Sequence, residues 1–154
     1  MAEIARNKRA YFDYEILEKF EAGIELLGLE VKSIKAGRVN LASAYAIIKN
    51  SQILLVGADV PPYQPNNTPS DYDSQRTRKL LLTADEIKTL IGKTKESHLT
   101  ILPLRAYTKG RLVKIELGLG KHKKKYDKRE SIKKREVERE IKRSLKNKAP
   151  HRSA

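Results

Sequence analysis

Cysteine is absent from the 154 residues. That excludes disulfide staples, Cys-based zinc sites and thiol catalysis. Long apolar runs are absent too, and none approaches the roughly 20 residues that a membrane-spanning helix needs. Residues 1–6 lack the apolar stretch of a signal peptide. A cytoplasmic protein with no membrane partner is therefore expected. Histidine is scarce, with His98, His122 and His151 the three present. None has a nearby Ser/Asp or a metal-ligand spacing, so surface histidines are expected rather than a catalytic or metal site. There is no P-loop and no dinucleotide fingerprint. Glu18 and Glu21 should point to opposite faces of one strand, which leaves no acid pair. No enzyme and no cofactor are expected.

What is present is positive charge. The net charge is +14. Residues 121–154 hold 15 Lys/Arg against 5 Asp/Glu, a net of +10, which leaves +4 for residues 1–120. A concentrated positive field attracts polyanions over about 8–10 Å at physiological salt. Nucleic acid is the commonest such partner, and an anionic membrane surface is the rival. Two units are expected: a domain over 1–120 and a basic tail over 121–154.

Along the domain, residues 14–26 alternate, with Tyr14, Ile16, Phe20, Ala22, Ile24 and Leu26 on one side. Period two means a half-buried strand. Residues 29–36 place Val31 and Ile34 on one face of a short helix that Gly37 ends. Two apolar runs, 45–48 and 53–56, flank Asn50-Ser51 and predict a hairpin. Residues 61–77 are rich in Pro, Asn and small polar residues and predict a long loop. Thr83 and Glu86 form a capping box. Ile87, Leu90 and Ile91 follow as an apolar stripe, and Gly92 is expected to close that helix. Strands are predicted at 99–107 and 112–119, with a turn at Lys109-Gly110. Val113, Ile115, Leu117 and Leu119 should face one side, Lys114 and Glu116 the other. Many short strands with few helices predict a mainly β protein, an OB-like antiparallel barrel with flanking α-helices.

The tail has little to bury. Val137, Ile141 and Leu145 form one thin stripe, and Glu138 and Lys142 make one i,i+4 pair worth a few tenths of a kcal/mol. Ordering costs roughly 1–2 kcal/mol per residue. The tail should be disordered when free and helical on a partner.

Three basic clusters stand out: Asn7-Lys8-Arg9 followed by Tyr11 and Phe12, then Arg76-Thr77-Arg78-Lys79, then the tail. Cations beside exposed rings suit RNA, since cations meet phosphates and rings stack on unpaired bases. The plainer alternatives are core packing for Tyr11 and Phe12, a solvated strand end for Arg76–Lys79, and a generic polyelectrolyte arm for the tail.

These segments also resemble a known family. Asn7-Lys8-Arg9-Ala10, Asp13-Tyr14-Glu15-Ile16, Phe20-Glu21-Ala22-Gly23-Ile24 and Glu30-Val31-Lys32-Ser33-Ile34 are similar to small protein B, the SsrA-binding proteins of bacterial trans-translation. The likeness continues through Pro62-Tyr63, Arg76–Leu82, Glu86-Ile87, Gly120-Lys121, Lys124-Lys125 and Asp127-Lys128-Arg129, nearly the whole chain in order.

The resemblance implies a protein that binds transfer-messenger RNA (tmRNA). It would deliver the alanylated RNA to stalled 70S ribosomes, with elongation factor Tu in the delivery complex. The barrel would grip the tRNA-like domain, and the tail would enter the empty mRNA channel near the decoding centre as a helix. Carried over by position, Glu21, Leu81, Thr83 and Lys114 match RNA-contacting sites, with Asn7, Lys8 and Arg9 flanking them and Arg76, Arg78 and Lys79 on the same basic surface. Lys124, Lys125, Tyr126, Asp127, Lys128 and Arg129 match the ribosome-contacting segment. Four positions depart from the usual pattern: Thr83 replaces Asn or His, Tyr126 and Phe12 replace His, and Ser74 replaces Pro. Thr83 reads first as a helix cap. Glu21 reads, without the resemblance, as a salt-bridge partner. The alternative reading of the whole chain is a general ribosomal or structured-RNA-binding protein whose tail is a charge anchor.

Overall fold

The computed structural model describes residues 2–124, 129, 132–133 and 135–141. The chain divides into two units, Met1–His122 and Lys123–Ala154. The first unit contains β1 (Ala2–Arg6), α1 (Lys8–Asp13), β2 (Tyr14–Ile24), α2 (Gly28–Lys35), β3 (Tyr45–Lys49), β4 (Gln52–Val56), β5 (Arg78–Leu81), α3 (Ala84–Ser97), β6 (Thr100–Lys109) and β7 (Leu112–His122). A short 3-10 turn, Pro65–Asn67, lies in the loop before β5.

The sheet order is β1-β6-β3-β4-β5-β2-β7, and β7 also pairs with β6. Six strands, β6-β3-β4-β5-β2-β7, thus close on themselves into the expected antiparallel barrel. β1 lies outside that ring, against the half of β6 that β3 leaves unpaired: Ala46 meets Ile101, while Arg6 meets Arg105 and Ala2 meets Thr108. Closure removes the exposed edges that an open sheet would leave.

Alternation makes the core. Ile53, Leu55, Leu80, Ile101, Ile115, Leu117 and Leu119 fill the barrel, and Leu90 of α3 packs into the same cluster. Ile34 of α2 joins Val60 and Val113 in a second cluster. A third lies under α1, where Ala10 meets Leu102 and Leu104, with Tyr11, Tyr14 and Ile16 beside them. Gly118 makes room for it, since a Cβ there would stand 2.8 Å from Leu104 Cδ1.

The predicted hairpin has Asn50 and Ser51 both at positive φ, 52° and 59°. That is the left-handed pair a two-residue hairpin turn demands. Gly37 takes φ +83° after α2, as a helix-ending glycine does.

Several boundaries differ from expectation. β1 and α1 were not foreseen, because β1 has only Ile4 as a large apolar residue and α1 is six residues long. α3 runs through Gly92 to Ser97 and ends instead at His98, which adopts the left-handed conformation at φ 50°. The packing of Leu90 and Ile87 outweighs the roughly 0.5–1 kcal/mol that an internal glycine costs. β7 continues to His122, two residues past the expected domain boundary, because Tyr14 and Glu15 pair with His122 and Lys121. The β6–β7 turn is Gly110-Arg111 rather than Lys109-Gly110, since Lys109 pairs with Leu112.

In the second unit, residues 129, 132–133 and 135–141 are helical where described. Ile132, Val137 and Ile141 are exposed. Lys142 and Leu145, the outer members of the predicted ion pair and apolar stripe, lie outside the described residues.

Candidate nucleic-acid interface

Strand pairing assembles the site. Gly23 of β2 lies opposite Leu81 of β5 on one side and Lys114 of β7 on the other, and Lys114 in turn lies opposite Tyr107 of β6. Four strands thus contribute one row: Leu81, Gly23, Lys114, Tyr107. A Cβ at Gly23 would stand 3.2 Å from Leu81 Cβ and 3.7 Å from Lys114 Nζ. The missing side chain leaves a notch between an exposed leucine and a lysine ammonium.

Glu21 stands two residues before Gly23, so it projects from the same face. The Tyr107 hydroxyl donates to its Oε2 at 2.6 Å, and Lys109 Nζ to its Oε1 at 3.2 Å. These two hydrogen bonds, Tyr107's first, hold the Glu21 carboxyl below the ordinary glutamate value against a desolvation cost, and the charges of Lys109 and Lys114 add to the effect. Burial, then the bond to Glu21, pushes the Tyr107 hydroxyl well above the ordinary tyrosine value. Glu21 is therefore ionised and partly engaged, and its side chain remains 40% exposed. The salt bridge that the residue suggested in isolation and the exposed position that RNA contact requires are both present.

Further along the same face, Arg105 Nε donates to Glu116 Oε2 at 3.1 Å, and its guanidinium lies 4.6 Å from the Tyr107 ring centre. Lys19 Nζ is 3.8 Å from Glu116 Oε1. Arg6, Tyr11, Lys19, Arg105 and Glu116 line a shallow cavity of about 360 Å³.

Not every sequence candidate reaches the surface. Asn7 is buried: its Nδ2 donates to Leu41 O and Pro103 O at 3.0 and 2.9 Å, and its Oδ1 accepts from Ala10 N as the cap of α1. Arg78 is fully buried, with Nε and Nη2 both donating to Glu30 Oε2 and Nη1 to Ala58 O. Arg76 donates to Glu30 Oε1 at 2.7 Å. The Arg76–Lys79 cluster is thus neither a free RNA grip nor a solvated strand end, because two of its three cations clamp one buried glutamate. Lys79 is half-buried beside Leu54.

Thr83 caps α3, accepting from Glu86 N at 3.2 Å while Glu86 Oε1 accepts from Thr83 N at 3.2 Å. It begins the helix two residues after Leu81. Lys8 and Arg9 are exposed on α1, and Arg9 Nε lies 3.6 Å from Asp13 Oδ2. Tyr11 packs against the small core under α1, as the plainer reading had it, while its ring also lies 5.8 Å from Lys19 Nζ. Lys124 and Arg129 are exposed. Lys125, Tyr126, Asp127 and Lys128 lie outside the described residues.

Sequence reasoning missed Gly23, Tyr107, Lys109 and Arg105. The signal was within reach: a turn set at Gly110-Arg111 instead of one residue earlier brings Tyr107 opposite Lys114. No group of three or more His, Cys, Asp or Glu among the described residues could hold a metal ion.

Known proteins are similar to this chain in sequence and in fold. A family model described as SmpB protein matches residues 4–147. The SsrA-binding protein of Trichormus variabilis is 49% identical over 144 residues, covering 94% of this chain and 93% of that protein. That of Carboxydothermus hydrogenoformans is 51% identical over 142 residues, covering 92% and 95%. That of Cupriavidus pinatubonensis is 52% identical over 144 residues. A solved chain described as "tmRNA-SmpB: a journey to the center of the bacterial ribosome" superposes with a TM-score of 0.66 at 38% identity, covering 83% of this chain and 93% of that one. A family model spanning most of the chain, near-half identity across whole relatives and a shared fold together place this chain in the SmpB family.

Proposed function

We propose that this chain binds tmRNA, the SsrA RNA, and brings it to stalled ribosomes for trans-translation. It acts as an RNA-binding protein. The barrel grips the tRNA-like domain through Glu21, Leu81 and Lys114 around the Gly23 notch, with Lys8 and Arg9 contributing from α1. Lys114 meets a phosphate, Leu81 offers an apolar surface to a base or sugar, and Glu21 accepts from a 2′-hydroxyl or a base amino group. Buried Asn7 and Arg78 support this surface from behind, while Thr83 stands exposed beside Leu81 at the start of α3. Lys124 to Arg129 and the rest of the tail approach the decoding centre and the empty mRNA channel, where a ring at Tyr126 stacks on a ribosomal base. Elongation factor Tu accompanies the complex during delivery, and the protein works in the cytoplasm.

The observation that carries this reading is the exposed, ionised Glu21 on a face that also presents Lys19, Arg105, Lys109 and Lys114. A carboxylate in such a place repels phosphates, so it serves selection rather than general RNA affinity. The test is a gel-shift titration with tmRNA, using bulk tRNA as competitor at rising salt. Shape and base contacts survive screening better than phosphate contacts do, so tmRNA should win by a growing margin. Equal competition by all RNAs at every salt concentration would leave the alternative, a general structured-RNA-binding protein with a charge-anchor tail.

A further inference from the structure

Glu21 has three side-chain torsions and stands among cations, so an unguided carboxylate there would have many places to go. Lys109 already reaches its Oε1 at 3.2 Å, and Lys114 sits across the Gly23 notch. A carboxylate folded down onto either ammonium would blunt the positive charge that meets the phosphates. It would also turn its free lone pairs away from the RNA.

Tyr107 supplies a fixed anchor for the other oxygen. Its side chain is only 2% exposed. Its ring is held beneath the Arg105 guanidinium at 4.6 Å, and its hydroxyl reaches Glu21 Oε2 at 2.6 Å. That length is typical of a bond from a neutral hydroxyl to an ionised carboxylate. A ring fixed by burial has no rotamer freedom left to lose when RNA binds. Lys109, by contrast, is a flexible donor, with 56% of its side chain exposed.

We infer that Tyr107 is a positioning residue for RNA selection: its buried hydroxyl holds one oxygen of Glu21 so that the remaining acceptor sites of the carboxylate face an RNA 2′-hydroxyl or base amino group. A carboxylate offers about four lone-pair sites, and two are taken here by Tyr107 and Lys109. Two remain. This inference rests on Glu21 being an RNA contact.

The experiment is a double-mutant cycle on the full-length protein, with Tyr107→Phe, Glu21→Ala and the two combined. Each is titrated against tmRNA and against an unstructured RNA of equal length, with thermal melting as the folding control. Tyr107→Phe keeps the ring, so the barrel should melt within a few degrees of the wild type. Its tmRNA affinity should fall roughly tenfold, the scale of one hydrogen bond to a charged group. Its affinity for the unstructured RNA should stay level, because the phosphate contacts are intact; a merely structural role would lower both. Adding Tyr107→Phe to Glu21→Ala should cause no further loss. Wild-type affinity in Tyr107→Phe alongside weak binding by Glu21→Ala would overturn the positioning role while leaving the RNA site in place. Additive losses would also overturn it, because Tyr107 would then act other than through Glu21. Undiminished binding by Glu21→Ala would remove the RNA reading of Glu21 itself, and the inference with it.

Discussion

Glu30 of α2 and Arg78 of β5 form an ion pair in which neither side chain is exposed at all, with Arg78 Nη2 donating at 2.5 Å and Nε at 2.8 Å to the same carboxylate oxygen. The other oxygen accepts from Arg76 Nη2 at 2.7 Å and Leu27 N at 2.8 Å. Arg78 also donates to Ala58 O, Ser74 O and Arg76 O, and Tyr72 donates to Val60 O. One buried glutamate thereby ties the long 61–77 loop to α2 and the barrel. Removing one partner strands the other charge, which typically costs 3–5 kcal/mol. Glu30→Ala should cost about that much by urea unfolding. A loss below about 1 kcal/mol would show that water or the loop relieves the stranded arginines.

The same pair should make stability depend on acid. Burial would raise the Glu30 carboxyl, but hydrogen bonds from Arg76, Leu27 N–H and Arg78 overcome it and hold it below the ordinary value of 4.5. The unfolded chain therefore binds this proton more readily than the folded one. The pair's stabilisation is complete above the unfolded value and is lost as pH falls through the folded one. The difference in melting temperature between the wild type and Glu30→Gln should be constant from pH 7 to about 5 and narrow below about 4.5. A gap that stayed constant into acid would mean that Glu30 titrates normally.

These two residues also mark what the sequence could and could not disclose. Arg76 and Arg78 look like an RNA-binding cluster because four adjacent letters advertise charge. Their partner is 48 residues from Arg78, and no local pattern announces a buried salt bridge across that distance. Asn7 misleads in the same way, since its three side-chain hydrogen bonds end on Ala10, Leu41 and Pro103. Local features read well. The Thr83 capping box, the Asn50-Ser51 turn and the alternation of β7 are set by neighbours within a few residues. Glu21, Leu81 and Lys114 were placed by resemblance, and only strand register shows that they share one face around Gly23.

Gly92 is the clearest local signal that packing overrode. It sits inside α3 rather than at its end, and a Cβ there would meet nothing within 4 Å. Gly92→Ala should then stabilise the protein by roughly 0.5–1 kcal/mol, by restricting the unfolded chain and favouring helix. Its RNA affinity should not change. Thermal or urea unfolding measures the gain, and a loss of stability would mean that the helix needs the glycine for a reason its surroundings do not reveal.

Lys114 offers a direct probe of the interface. Lys114→Ala should weaken tmRNA binding, and the slope of log affinity against log salt should fall by about one if its ammonium meets a phosphate. Weaker binding with an unchanged slope would assign Lys114 to a base edge instead. It could also mean that Lys114 acts through Glu21, whose charge it helps to hold.

The tail should separate from the barrel in function. The cut belongs after His122 and not after Gly120, because Lys121 and His122 still pair with Glu15 and Tyr14 at the end of β7. A shorter fragment would remove that pairing and the edge-on contact of the Tyr14 and His122 rings, 5.0 Å apart. The 1–122 fragment keeps every described residue of the Glu21, Leu81 and Lys114 face. It should bind tmRNA within a few-fold of the full chain at raised salt, where the lost cations of the tail matter least. It should fail to support tagging of polypeptides on stalled ribosomes in a reconstituted translation assay. The helical residues 135–141 carry Val137 and Ile141 exposed, so the described tail buries little apolar surface of its own to offset ordering. Circular dichroism of the isolated 123–154 peptide should accordingly show little helix in plain buffer. A fragment that folds but loses tmRNA at all salt concentrations would place RNA recognition in the tail and overturn the division of labour.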